Sequence, residues 1–390
     1  MNLSAALRLA SRYVLRHRVQ SLLLCLALGS AMALPMAVRV LAKTVEQEMQ
    51  RRAASTPQVL GAKGSALDLL LSALYFRRQP LEPMKLRQAE EVRESGLAEV
   101  VPMHVRFHAQ GAPIVGVEFG YFDFRGLRPA AGSFFTRLGD CVVGARLAAE
   151  RGIKPGDSVF SSPEQVFDIA GVYPLKMRVM GVLAAVGSPD DHAIFVDLKT
   201  AWLIEGRSHG HDDLAAAEVL KKEEANLVGN AAVRMFNEVT EKNIGGFHFH
   251  GEISDYPISS AIVIPHDAKS EAILTGRHQD PRGGLQLMRP TDELNTILST
   301  LFRVEGAVVL GLIFVGCAAG AIAFIVFALS FQMRSREFAT LADLGVSPRT
   351  LIAIKACEVA LVGLGGLLVA AGVVALVIWA GPGLVLRALQ

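Results

Sequence analysis

Residues 306–333 carry no charged side chain. At about 1.5 Å per residue, a helix of that length exceeds the roughly 30 Å hydrocarbon core of a bilayer, so the run predicts a membrane span. A second uncharged run covers residues 359–386, and its Gly363, Gly365, Gly366 and Gly372 permit close approach of a neighbouring helix. Gly381-Pro382-Gly383 predicts an early end for that helix. The third candidate, residues 19–38, is barely long enough to span and has Pro35 near its outer end. Arg8, Arg12, Arg16 and Arg18 before it, with Ala31-Met32-Ala33 inside it, fit the pattern of a cleaved signal peptide. Residues 41–54 nevertheless continue in helix-compatible composition, as a stalk on an uncleaved anchor does, and the anchor reading is preferred.

Lys and Arg in short loops set orientation. The N-terminal arginines share a side with Arg334, Arg336, Arg349 and Lys355 if the intervening region is exported. The N-terminus and the 334–355 loop are therefore expected in the cytoplasm, with the C-terminus outside. The organisation that follows is a cytoplasmic N-terminus and first span over residues 1–43, an extracytoplasmic domain over 44–303, and a two-helix transmembrane region over 304–390 with a cytoplasmic loop at 334–350. Composition agrees with a divided chain, since 51% hydrophobic residues and a mean hydropathy of +0.37 are too apolar for an ordinary soluble protein, while 19% charged residues are too many for one embedded throughout. Thirty-nine basic and 37 acidic residues give a net charge of +2, without the single-sign field that nucleic-acid binding uses. Cys25, Cys317 and Cys357 lie in apolar segments, which leaves Cys141 alone in the exported region and excludes a disulfide within it.

Between the spans, short apolar runs at 112–117, 141–143, 166–172, 177–183, 193–196 and 261–265 predict strands, and the stretches 84–95, 214–227 and 293–303 predict helices. The fold class is an α+β membrane protein, with three transmembrane helices and one large mixed α+β extracytoplasmic domain. Neither an internal repeat nor a Gly/Ser linker divides that domain.

Nine of the ten histidines fall in the exported region. His209, His211 and Asp212 lie close together in one polar stretch, and His248 and His250 alternate so that on a strand both face one way. Imidazole with carboxylate suits zinc, and zinc is the one metal these clusters suggest; solvated loop and structural strand histidines are the plainer accounts. Asp190-Asp191-His192 and His266-Asp267 read as turn residues. No H-E-x-x-H, G-x-S-x-G or G-x-x-x-x-G-K-[ST] pattern occurs, so no catalytic residue is assigned and the chain is not expected to be an enzyme.

Arg336-Glu337-Phe338-Ala339-Thr340-Leu341, then Leu344-Gly345-Val346-Ser347, then Glu358, Gly363 and Gly366, resemble the cytoplasmic loop and following helix of MacB/FtsX-like permeases. In that family R-E-x-x-x-L-x-x-x-G is recurrent. Gly61 to Ser65 with the apolar run 69–75, the stretch 177–183, and the Phe247 to Gly251 segment resemble parts of a bacterial subgroup linked to metal homeostasis.

The resemblance implies a multi-pass protein of the bacterial inner membrane whose loop rests on a cytoplasmic ABC ATPase. Arg336, Glu337, Phe338, Leu341, Leu344 and Gly345 would be the coupling residues. ATP would be bound and hydrolysed only by that partner, in a machine built on a homodimer and served by a periplasmic adaptor or binding protein. Family members have four spans, whereas this chain stops at Gln390 soon after its third, so a fourth helix would be missing or supplied by another chain. Transport linked to zinc is the preferred cargo. Extraction of a lipoprotein, peptide or drug, and non-transporting regulation of a cell-wall hydrolase, are the alternatives. At Glu358 the residues allow either a buried carboxylate facing protein or water, or an interfacial pair with Lys355.

Overall fold

The computed structural model describes residues 3–78, 82–162, 174–210, 219–223, 226–229, 237–280 and 282–389. The chain divides into two compact units, one made of Met1–Met49 with Thr296–Arg387 and one built on Gln50–Asn295.

The first unit is helical. Three helices are long and apolar enough to cross a membrane: Arg18–Ala54, Pro290–Met333 and Pro348–Val385. A short helix, Leu3–Arg16, precedes the first of them, and Ser335–Asp343 links the second to the third. The expected early stop at Gly381-Pro382-Gly383 does not occur, because the last helix continues to Leu389 with Pro382 inside it. In hydrocarbon no water is available for freed backbone groups, so helix persists through residues that would end it in solution. Pro35 is likewise accommodated inside Arg18–Ala54, and the 41–54 stretch continues that helix as the stalk reading expects.

Two of the four glycines expected at a helix contact are used. A Cβ on Gly365 would lie 2.5 Å from the Cys25 sulfur, and one on Gly366 would lie 3.2 Å from Leu28 Cβ. Gly29 answers from the other helix, where a Cβ would meet Val369 at 2.7 Å. A Cβ on Gly363 or Gly372 would meet no neighbouring group within 4 Å among the described residues. The helix Ser335–Asp343 closes with Gly345 at φ +83°, whose N–H bonds Ala342 O while the Val346 N–H bonds Leu341 O. This is the double bond of a Schellman cap, which needs a left-handed residue at that position.

The second unit is a mixed sheet flanked by helices. Among the described residues it has eleven strands, with Ala112–Val117, Ala98–Ala109 and Ser260–Pro265 at its centre. Leu175–Leu183 lies towards one edge and Gln58–Ala62 towards the other, followed by Leu285–Met288. Expected strands reappear as Ala112–Val117, Asp140–Val143, Leu175–Leu183, Ile194–Asp197 and Ser260–Pro265, while the 166–172 strand lies outside the described residues.

Of the expected helices, 84–95 appears as Leu86–Glu94 and 293–303 falls inside Pro290–Met333. The expected helix over 214–227 is overturned where residues are described: Val219–Glu223 and Asn226–Gly229 pair as antiparallel strands. Helix propensity is a weak preference that pairing overrides. One side of the sheet packs an aromatic group of Phe76, Tyr121, Phe122, Phe135 and Phe195. Elsewhere the buried Trp202 indole donates to Pro257 O at 2.7 Å.

Candidate functional site

In the helical unit the constellation centres on Arg334, at the break between Pro290–Met333 and Ser335–Asp343. Its guanidinium donates to both carboxylate oxygens of Glu358, at 2.9 and 3.0 Å, and through Nε to Glu337 at 3.1 Å. It also lies 3.6 Å from the centre of the Tyr13 ring and 5.0 Å from that of Phe338. Nη1 alone serves both Glu358 oxygens and Nε serves Glu337, so the planar, always-charged guanidinium holds two carboxylates with separate donors while lying on an aromatic ring, which a compact ammonium does less well. Glu358 is only 2% exposed, so the buried reading holds. Its ion-pair partner is Arg334; Lys355 instead stands over the rings of Phe338 and Phe331, at 4.6 and 5.4 Å.

The expected coupling residues separate by environment. Phe338 is buried with Ala6 and Ile354, and the half-buried Leu341 packs on the same cluster. Arg336, Glu337, Leu344 and Gly345 are exposed, Leu344 at 75%. The apolar side of the short helix is thus seated on this chain's own helices, and the remaining residues face outward. Arg334 was legible only as a positive charge; the signal for its role was the carboxylate at i+3 and a second one isolated in the apolar run beyond.

In the sheet unit, the structure brings His209 opposite His248. Ser208–Gly210 and Phe247–Phe249 pair antiparallel in the register Ser208↔Phe249, His209↔His248, Gly210↔Phe247. The pair is held by Ser208 Oγ donating to His248 O at 2.8 Å. The rings of His248 and His250 meet edge to face at 4.7 Å, and Tyr256 OH donates to His250 O at 2.9 Å. His211 and Asp212 lie outside the described residues. Among the described residues, no group of three or more His, Cys, Asp or Glu side chains is arranged to hold a metal ion.

Residues 190–192 do lie in a turn, as expected, and the turn carries a third, buried constellation. Asp190 is the second residue of the single turn Pro189–His192 and is 1% exposed. Arg52 donates to its two oxygens at 2.7 and 3.1 Å, Tyr121 OH donates at 2.5 Å and Ser188 Oγ at 2.6 Å. Arg52 Nε reaches Leu74 O at 3.2 Å, and Arg52 Nη2 donates to Tyr121 OH at 3.1 Å. Burial alone would raise the Asp190 carboxyl, but the Arg52 charge and these bonds outweigh it and hold the group below the usual carboxylate range. Burial, with the Asp190 charge, pushes the Tyr121 phenol up. Each Asp190 carboxylate oxygen thus accepts two hydrogen bonds, which ties the helix end at Arg52 to the Pro189–His192 turn. Asp191 is similarly engaged, accepting from the Val186 and Gly187 N–H groups at 3.0 and 2.7 Å.

A profile of the MacB-like periplasmic core domain matches residues 21–232, more than half of the chain. The chain is similar to the periplasmic region of MacB from Actinobacillus actinomycetemcomitans, with 14% identity and a TM-score of 0.37 over 64% of this chain and 98% of that one. It is also similar to the extracellular domain of the noncanonic ABC-type transporter YknZ from Gram-positive bacteria, with 14% identity and a TM-score of 0.33 over 60% of this chain and 99% of that one. No curated protein matches the chain. The extent of the profile match, together with three helices able to cross a membrane, identifies the chain as a member of the MacB-like family of ABC transporter permeases.

Proposed function

We propose that this chain is the membrane subunit of an ABC machine in the bacterial inner membrane, passing the motion of a cytoplasmic ATPase to its extracytoplasmic domain. The observation that carries this reading is the Arg334 junction. One guanidinium ties Glu337 on the short helix to Glu358 on the last membrane helix while lying on the Tyr13 ring of the N-terminal helix. A push on the short helix is then delivered to its neighbours instead of being absorbed by side-chain rearrangement. Arg336, Glu337, Leu344 and Gly345 remain outward to receive a partner. In this reading the N-terminus and the 334–350 loop are cytoplasmic, and the partner alone binds ATP. Two copies of the chain and a periplasmic adaptor or binding protein complete the assembly.

A photo-reactive amino acid at Leu344 of the full chain, activated in native membranes, tests it. The expected adduct is with a P-loop ATPase, identified by peptide mass and increased by a non-hydrolysable ATP analogue. An adduct pattern lacking any ATPase would remove the coupling role.

A second observation favours zinc as the ion handled. The register places His209 opposite His248, with His250 adjoining, and His211 and Asp212 follow closely in sequence. Neutral imidazole is a good zinc ligand, and the exported side is where an ion would be collected or released. Calorimetric titration of the detergent-solubilised chain with zinc should give micromolar or tighter binding that disappears when His209, His248 and His250 become alanine. Absence of binding by the folded chain would leave the coupling role standing without a metal cargo.

A further inference from the structure

The helical unit contains an open groove of about 690 Å³ whose chemistry changes from one end to the other. Arg16, His17 and Arg18 form one end, at the turn between Leu3–Arg16 and Arg18–Ala54. Leu23, Leu24 and Val326 line the remainder, contributed by Arg18–Ala54 and Pro290–Met333. Both arginines are exposed, and no acidic residue is among those lining the groove. Just before it, Leu3–Arg16 buries Ala6 and Ala10 while presenting Arg8, Arg12 and Arg16 together with the exposed Leu7, Leu9 and Leu15. An exposed helix with arginines and leucines side by side is suited to the boundary between headgroups and acyl chains.

We infer that this groove is a binding site for an anionic phospholipid of the surrounding bilayer. The phosphate would lie against the Arg16 and Arg18 guanidiniums, which match its oxygens in charge and geometry. An acyl chain would run along Leu23, Leu24 and Val326, where burial of apolar surface holds it. Basic openings between membrane helices at the headgroup level have this character generally. A second copy of the chain laid on the same groove would have to bury two guanidiniums with no carboxylate supplied by the groove itself, which is costly. Orientation bias alone would account for the arginines but not for their place at the mouth of an apolar groove, since it needs only positive charge near the end of the span. The inference rests on the reading that these helices lie in a bilayer.

Native mass spectrometry of the full detergent-solubilised chain provides the test, with phosphatidylglycerol and phosphatidylcholine of identical acyl chains added in turn. Phosphatidylglycerol should be retained in preference to phosphatidylcholine. The double variant Arg16→Gln/Arg18→Gln should weaken that retention by on the order of tenfold. Val326→Trp, which fills the apolar part and keeps the charges, should weaken it too. Arg8→Gln/Arg12→Gln, which removes the same charge from the neighbouring helix, should leave it unchanged. Equal retention of the two lipids, or equal loss in the Arg8/Arg12 and Arg16/Arg18 variants, would overturn the site. Either result leaves the Leu344 adduct as it was, so failure of the lipid site and failure of the coupling role are separable.

Discussion

Arg52 and Asp190 are separated by 138 positions, and both are withdrawn from water by the fold. Removing charge from one side of such a pair costs more than the pair contributes, because the other charge stays buried. Asp190→Asn should therefore destabilise the sheet unit by about 3–5 kcal/mol. Tyr121→Phe, which deletes one bond to the carboxylate, should cost about 1.5–3 kcal/mol. Urea unfolding of the full chain in a Trp379→Phe background, where the buried Trp202 is the single indole emitter, measures both. The direction with pH is fixed by the lowered Asp190 carboxyl. Its contribution is present above the unfolded carboxyl value of about 3.9 and is lost as pH falls through the lower folded value. Wild-type stability should fall on that acid side, and Asp190→Asn should lose this part of the dependence. None of this was legible in sequence, where Asp190 sits in a Pro-Asp-Asp-His run typical of turns and Arg52 resembles any basic residue ending a helix. The histidine alternation at 248 and 250 was legible because a period of two is local. Its partner His209 was seen only as a separate cluster, because cross-strand register is not local.

At the scale of elements, the membrane helices were the most legible feature, since length and absence of charge suffice to define a span. What composition could not supply was which face of each helix meets another. Four glycines of the last helix qualified by size, yet only Gly365 and Gly366 lie against Arg18–Ala54. Gly365→Val should force apart the contact at Cys25 and cost about 1–3 kcal/mol through overpacking. Gly372→Val, with open space around it, is the matched control and should be nearly neutral. The thermal midpoint of the detergent-solubilised chain, read by size-exclusion chromatography after heating, distinguishes them, and equal loss in both would contradict the contact. The short helix Ser335–Asp343 was legible in position and ending, because Gly345 is where a left-handed cap belongs. That Phe338 would be seated inward and Leu344 left outward was not, since apolar spacing along a helix does not say what the apolar side meets.

On the scale of the whole molecule, the arrangement of spans around one large inserted domain followed from the sequence, and the strand order did not. Gln58–Ala62 pairs on one side with Ser260–Pro265 and on the other with Leu285–Met288, across some two hundred residues of intervening chain. Such closures depend on tertiary packing, which no local pattern encodes. The pairing fixes how the domain is tethered. The strand Gln58–Ala62 begins just after the helix that ends at Ala54, and Leu285–Met288 ends just before the helix that starts at Pro290. Val59 lies opposite Met288, so both tethers join the sheet at the same end of one antiparallel ladder. A force that draws the two tethers apart acts on that ladder as on a zipper, opening its rungs singly from Val59 and Met288 and peeling the outermost strand first. A force shared by both tethers opens no rung between them and moves the ladder as one piece, so the attachment is compliant to splitting and stiff to common displacement.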